Sequence, residues 1–424
     1  MQGMERSRVQ ELDQADSLRE YTSQFVVGDT DVCYLDGNSL GRLPKKTVDV
    51  INNFLINEWG GKVVEGWSDW VDEAEHTGDL VGRSALGAQS GQVLVLDTTS
   101  VNLYQLMVAA IKARPGRNTV IIDAANFPTD RYIMQGIAEA LGLKLVVIDN
   151  ENPALCDNEL ITPEVLEKYL SQDVALVSLQ VVNYRSGCKQ DVKALTELVR
   201  SYGAFLLWDA AHAIGSVELD FDANGVDIAV GCTYKYGNSG PGSPAWMYVN
   251  KSVQDELRVP IQGWFAQEHQ FEMGQDFSRT PGMRGFQIAS PSLLGLRSVQ
   301  VAFSMIEEAG IQTIAKKCQI GTTLMVDLFD EWLLPLGFTL GTPRNPDQRG
   351  GHLALKHRDA EIIARAMRSD IKVIPDFRAP DVIRVAISPL TNTYEEVFEG
   401  FTRIRDLVAS GTFAEVRQSD SRVR

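Results

Sequence analysis

Between residues 92 and 231 the chain repeats one unit: an apolar run of four to six residues, a few polar groups, then a helix-length amphipathic segment. The runs predict strands at 93–96, 119–123, 145–148, 175–179, 205–208 and 226–230. The segments between most of them predict helices at 101–112, 129–140, 163–170 and 192–202. Strands that are apolar along their whole length must be covered on both faces, and helices alternating with them provide that cover. The pattern therefore predicts an α/β fold with a mostly parallel sheet. Sites in such sheets gather beyond the carboxyl ends of the strands, so the residues that follow each run carry the functional question.

A chain of 424 residues with 44% hydrophobic and 23% charged residues has the make-up of an ordinary globular protein, large enough for one large and one smaller domain. From about residue 299 it alternates helix, expected at 306–329, with a small mixed sheet. The formal net charge of −16 argues against a nucleic acid or an acidic membrane surface as partner. The charged N-terminus does not read as a signal peptide, and no apolar run approaches the roughly 20 residues that span a bilayer, so a cytoplasmic location is expected. Five cysteines without CxxC spacing suit reduced thiols; no metal is expected, and no cysteine is given a role. The tail, 417–424, reads as disordered.

The chemistry concentrates in residues 206–248, LLWDAAHAIGSVELDFDANGVDIAVGCTYKYGNSGPGSPAWMY. Lys235 sits among apolar or weakly polar neighbours, which depress the pKa of an ammonium, and a partly neutral amine forms Schiff bases. Asp209 closes a buried strand, and His212 follows three residues on. A carboxylate there holds a pyridinium nitrogen protonated, and an imidazole stacks on or lines the ring, as pyridoxal 5′-phosphate (PLP) requires. Singly, these residues are a turn-capping Asp, a core His and a surface Lys; their combination at this spacing favours the cofactor.

Other strand ends add to this. Thr98, Thr99 and Ser100 open a helix, where free N–H groups and the dipole bind phosphate; an N-cap alone needs one hydroxyl. Phe127, Pro128 and Asp130 form an ordinary helix start. Arg384, among β-formers, is either an edge residue or a buried carboxylate fork. Residues 37–44, GNSLGRLP, form a turn before a helix near Lys45, and 47–59 have helical spacing. Trp67 and Trp70 read either as core or as walls for an aryl substrate.

These motifs resemble fold-type I PLP enzymes, and within them the kynureninase family, across nearly the whole chain. Matches are dense at 33–44, 97–103, 127–130, 182–187, 207–249, 263–265, 281–291 and 382–392. The resemblance implies a seven-stranded, mostly parallel large domain at 46–300, a small α+β domain at 301–424, and an N-terminal segment, 1–45, that joins the small domain. It implies hydrolysis of the Cβ–Cγ bond of L-kynurenine, or its 3-hydroxy derivative, to an anthranilate and L-alanine. Lys235, Asp209 and Tyr234 would be catalytic. Thr99, Ser100, Phe127, Asp130, Asp209, His212, Tyr234, Lys235, Trp264 and Ser290 would bind the cofactor, and Ser39 and Arg384 the amino-acid substrate. Trp264 and Ser290 would reach the site of a second copy, making an obligate homodimer with shared active sites. The chain departs from the family at Val181, where His is common, and after Phe265, where Ala266–His269 replaces Gly-His. The alternatives are a related PLP-dependent aminotransferase or β-lyase acting on a modified kynurenine or another amino acid, and a PLP-binding protein without turnover.

Overall fold

The structure, a computed structural model, describes residues 6–415; the tail at 417–424 lies outside the described residues. Thirteen strands occur in chain order: β1 Cys33–Tyr34, β2 Val93–Val95, β3 Thr119–Asp123, β4 Lys144–Ile148, β5 Val174–Gln180, β6 Phe205–Asp209, β7 Ile228–Gly231, β8 Trp246–Val249, β9 Thr339–Leu340, β10 His352–Lys356, β11 Val373–Ile374, β12 Asp376–Arg378 and β13 Val382–Ala386. Seven of them form the main sheet in the order β2-β8-β7-β6-β5-β3-β4. β4, β3, β5, β6 and β7 run parallel, and β8 runs antiparallel to both β7 and β2. All six expected strands are present; β8, after the Gly- and Pro-rich residues 240–244, is the seventh.

Both faces of this sheet are buried except along the edge strand β4, where Lys144 and Val147 are exposed. Along each strand alternate side chains enter two different cores: Val93, Ile121, Leu206, Trp208 and Trp246 one, and Leu94, Ile122, Phe205, Leu207 and Met247 the other. The helices Thr99–Lys112, Pro128–Leu141 and Val192–Ser201 link successive strands. Close packing is written into Gly78, where an added Cβ would lie 2.0 Å from the Val93 carbonyl oxygen, so the helix Glu73–Val81 rests directly on β2.

A third core gathers Leu324, Phe329, Leu355, Ile383 and Phe401 with Val9, Cys33 and Leu35 from the start of the chain. Its sheet has the order β12-β13-β10-β9, and β1 pairs in parallel with β11. The single helix expected at 306–329 is instead two, Leu293–Ala309 and Ile311–Leu328. Gly310, at φ 76° and ψ 124°, makes the break, a backbone conformation that glycine adopts without steric cost. Among the described residues no helix is long and apolar enough to cross a membrane.

Candidate active site

Five strand ends of the main sheet deliver side chains to one cavity of about 230 Å³, lined by residues that include Thr99, Ser100, Phe127, Asp130, Tyr184, Asp209, His212, Tyr234 and Lys235. After β2, Thr98 serves as the N-cap, its hydroxyl accepting from Val101 N at 3.3 Å. That leaves the Thr99 and Ser100 hydroxyls, at the start of a 14-residue helix, for an anion. After β3, Pro128 starts the next helix and Asp130 lies in its first turn, buried. Phe127 stands edge-on to Tyr184, ring centroids 5.3 Å apart.

The turn at 37–40 reaches this cavity because Gly41 docks on the lysine loop. Its N–H donates to the Tyr234 carbonyl at 2.8 Å, and a Cβ there would come within 2.4 Å of the Lys235 carbonyl oxygen. Asn38 and Ser39 thereby line the site. Asn38 is fully buried, and neither atom of its amide has a protein partner among the described residues.

Electrostatics assign protonation states. Lys235 Nζ lies 2.8 Å from His212 Nε2. Burial lowers the lysine pKa, while Cys232 and Asp209 oppose the shift. His212, buried beside Lys235 and Arg384, is pushed well below the ordinary imidazole value and is neutral, and its Nδ1 has no protein partner. Burial raises both Asp209 and Asp130; the charge of Asp209 raises Asp130 further, whereas Lys235 and the Ala211 N–H, 2.8 Å away, favour the Asp209 anion. Of the two, Asp130 therefore takes up a proton more readily, and Asp209 more readily keeps the charge. The Cys232 thiol is raised by burial, so it is not a ready nucleophile.

The small sheet supplies the opposite wall. Arg384, on the central strand β13, is 1% exposed, which settles its alternatives in favour of burial. Its Nε donates to Asp376 Oδ2 at 2.6 Å, its Nη1 donates to the Tyr184 carbonyl, and its Nη2 meets Ser39 Oγ at 3.1 Å. Arg378, Asp376, Tyr184 and Asn38 were not singled out from the sequence, because strand register and a turn bring them here. His352 was missed for the same reason; it packs against His212 at 5.4 Å between ring centroids.

Other residues named from the sequence lie outside this cavity. Trp264 and Ser290 are exposed and do not line this chain's cavity. Trp67 and Trp70 pack against each other and against Phe265 and Phe54, so they are a local aromatic cluster and not walls of this cavity. His269, two positions beyond the family's His, is exposed on a loop. A larger cleft of about 600 Å³, near Leu160, Val181, Lys189 and Gln348, contains none of the groups that line the cavity above, so size does not mark the site.

The residues fit PLP. A helix start with two uncommitted hydroxyls suits the phosphate, the buried carboxyl of Asp209 the ring nitrogen, the imidazole of His212 and the face of Phe127 the ring, and the desolvated amine of Lys235 the aldehyde.

The family described as "Kynureninase C-terminal domain" matches residues 314–404. The chain is 32% identical over 414 residues to the kynureninase of Pseudomonas fluorescens, covering 96% of each. It is 33% identical over 397 residues to that of Geobacillus thermodenitrificans, covering 91% of this chain and 90% of that one. Among solved structures, a cysteine desulfurase from Thermococcus onnurineus superposes with a TM-score of 0.77 at 19% identity, over 92% of this chain and 98% of that one. One from Escherichia coli gives 0.77 at 15%, over 93% and 98%. The desulfurases share the fold; the near full-length sequence relatives go further, and by them this chain belongs to the kynureninase family.

Proposed function

We propose that this chain is a PLP-dependent kynureninase, hydrolysing the Cβ–Cγ bond of L-kynurenine, or of 3-hydroxykynurenine, to the anthranilate and L-alanine. One observation carries the reading: in a chain of this family, the amine of Lys235 lies 2.8 Å from His212 Nε2 in a cavity that Asp209 and Arg384 also line.

When bound, PLP supplies an electron sink that stabilises negative charge at the α-carbon and then at the β-carbon of an amino acid. Lys235 would hold the cofactor by its amine, and the same amine, when free, would move the α-proton of the substrate. His212 Nε2, 2.8 Å from Lys235 Nζ, would hydrogen-bond that amine. Asp209 would keep a proton on the ring nitrogen, and Asp130, the more strongly raised of the two carboxyls, would compete little for that charge. Thr99 and Ser100 bind the phosphate. Arg384 and Ser39 orient the substrate, fixing which bond is broken. Cys232 and burial hold Tyr234 far above the ordinary phenol value, so it keeps its O–H and serves as the proton shuttle when water adds to the γ-carbonyl.

The enzyme is an obligate homodimer. Exposed Trp264, Phe271 and Met273, at 42%, 67% and 68%, support a covering second copy, with Trp264 and Ser290 completing its site. Five free, buried cysteines accord with the reducing cytoplasm. The test is product analysis with and without an added α-keto acid. Equal amounts of alanine and anthranilate, independent of the keto acid, are expected; a strict requirement for it would make the chain an aminotransferase.

A further inference from the structure

His352 is a second buried histidine behind the site, and the strand that carries it explains why it is there. Along β10 side chains alternate: Leu353 and Leu355 enter the core of the small sheet, so His352 and Ala354 point the other way. Ala354 pairs directly with Arg384, which puts His352 on the face of the small sheet that carries Arg384 to the cavity. Two glycines let the large domain close on it. A Cβ at Gly187 would lie 2.4 Å from the His352 carbonyl oxygen, and one at Gly351 would lie 2.6 Å from the hydroxyl of Tyr236, the residue after Lys235.

The outcome is a pair of imidazoles. The ring centroids of His212 and His352 are 5.4 Å apart, with the rings inclined at 57°. That spacing suits a hydrogen-bonded pair, since an N–H···N bond of about 3 Å leaves roughly one ring radius at each end. Both rings are shut away, His352 at 0% exposure and His212 at 5%, and His352 does not line the cavity. His212 Nε2 is taken up by Lys235 Nζ at 2.8 Å. Among the described residues neither His212 Nδ1 nor either nitrogen of His352 has a hydrogen-bond partner in the protein. Polar atoms buried this completely find partners. A half-turn of a ring about Cβ–Cγ, which exchanges a nitrogen with a carbon and keeps the ring plane, is the small motion that joins these two.

One arrangement of protons satisfies them. Burial, with Arg384, Lys235 and Arg378 close to both rings, holds each well below the ordinary imidazole value, so each ring is neutral, with one N–H donor and one acceptor nitrogen. The Tyr184 carbonyl, which accepts from Arg384 Nη1, also favours an N–H on His352. A carbonyl can only accept, so the other nitrogen of His352 is left as an acceptor. The donor that faces it is His212.

We propose that His352 positions the catalytic lysine through His212: it accepts from His212 Nδ1–H and donates to the Tyr184 carbonyl, which leaves a lone pair on His212 Nε2 facing Lys235. The Lys235 amine then donates an N–H to Nε2 and keeps its own lone pair free to react. The opposite tautomer would put an N–H on Nε2 and occupy that lone pair. This role rests on Lys235 being the residue that holds the cofactor, and it explains what keeps that amine reactive.

The experiment labels the ring nitrogens of the five histidines isotopically and reads by magnetic resonance, in the PLP-loaded enzyme, which nitrogen of each ring carries the proton. Signals are assigned by their loss in His212→Gln and His352→Gln. His212 should carry its proton on Nδ1. In His352→Phe, which has no acceptor, that preference should disappear, and uptake of PLP by the apoenzyme, followed by absorbance, should slow about 10-fold, the effect of one hydrogen bond. His352→Gln, whose amide both accepts and donates, should keep the proton on Nδ1 and slow uptake by less than about 2-fold. A proton on His212 Nε2 in the unmodified enzyme overturns the proposal, even if His352→Phe does not fold. So does an Nδ1 proton that survives in His352→Phe, or equal slowing in the two variants. Anthranilate formation by the unmodified enzyme is scored separately. Its absence, alongside an Nδ1 proton that depends on His352, would remove the kynureninase reading and leave this one standing.

Discussion

Asp123, at the end of β3, illustrates what burial costs a single side chain near this site. It accepts hydrogen bonds from Asn150 at 3.0 Å and Asn126 at 3.1 Å, yet burial raises it to about 7. In the unfolded chain it titrates near 3.9. Between those values the folded state holds a proton that the unfolded state has released, so stability falls as pH rises through the window and levels off above it. Urea midpoints should therefore decline from about pH 5 to about pH 7, and Asp123→Asn should flatten the decline by roughly 1–3 kcal/mol. Equal slopes in both proteins would show that the carboxyl does not titrate in this range. Lys235, Asp209 and His212 were legible at this scale because few residue types at strand ends do their chemistry. Arg378, Asp376 and Asn38 were not: an arginine two residues from an aspartate says nothing until β12 pairs with β13, and an asparagine in a turn reads as a turn residue.

The strands follow from side-chain alternation that buries both sheet faces, and six of the seven in the main sheet were readable as apolar runs. β8 was harder, because four residues behind a Gly- and Pro-rich loop give a short signal and its antiparallel direction comes from the partners on either side. The two helices meeting at Gly310 read as one, since apolar spacing continues across the glycine and only its backbone conformation marks the break. Close approach is similarly invisible in sequence. Gly78→Ala would drive a methyl carbon into the Val93 carbonyl, and with backbone on both sides there is little room to yield. It should destabilise the protein by about 2–3 kcal/mol in urea unfolding, the cost of overpacking a tight contact. A loss below about 0.5 kcal/mol would mean that the helix Glu73–Val81 moves freely on β2.

For the molecule as a whole, one chain assembles Lys235, Asp209, His212, Asp130 and Arg384, but leaves Trp264 and Ser290 outside its own cavity. The resemblance implies that these two serve a second copy, which the packing of one chain does not reveal. If Trp264 completes the second copy's site, Lys235→Ala and Trp264→Ala homodimers should both be impaired. Mixing them after mild dissociation should restore activity in hybrids that contain one intact site; no recovery in confirmed hybrids would assign Trp264 to its own chain. The central claim is that this cavity, loaded with PLP, cleaves kynurenine. Its most direct test follows the cofactor absorbance and anthranilate fluorescence of the purified enzyme in one cuvette after L-kynurenine is added. An immediate change in the cofactor spectrum with a steady rise in anthranilate, the rise absent in Lys235→Ala, is the predicted result. A spectral change without anthranilate from L-kynurenine and without 3-hydroxyanthranilate from its 3-hydroxy derivative would contradict it.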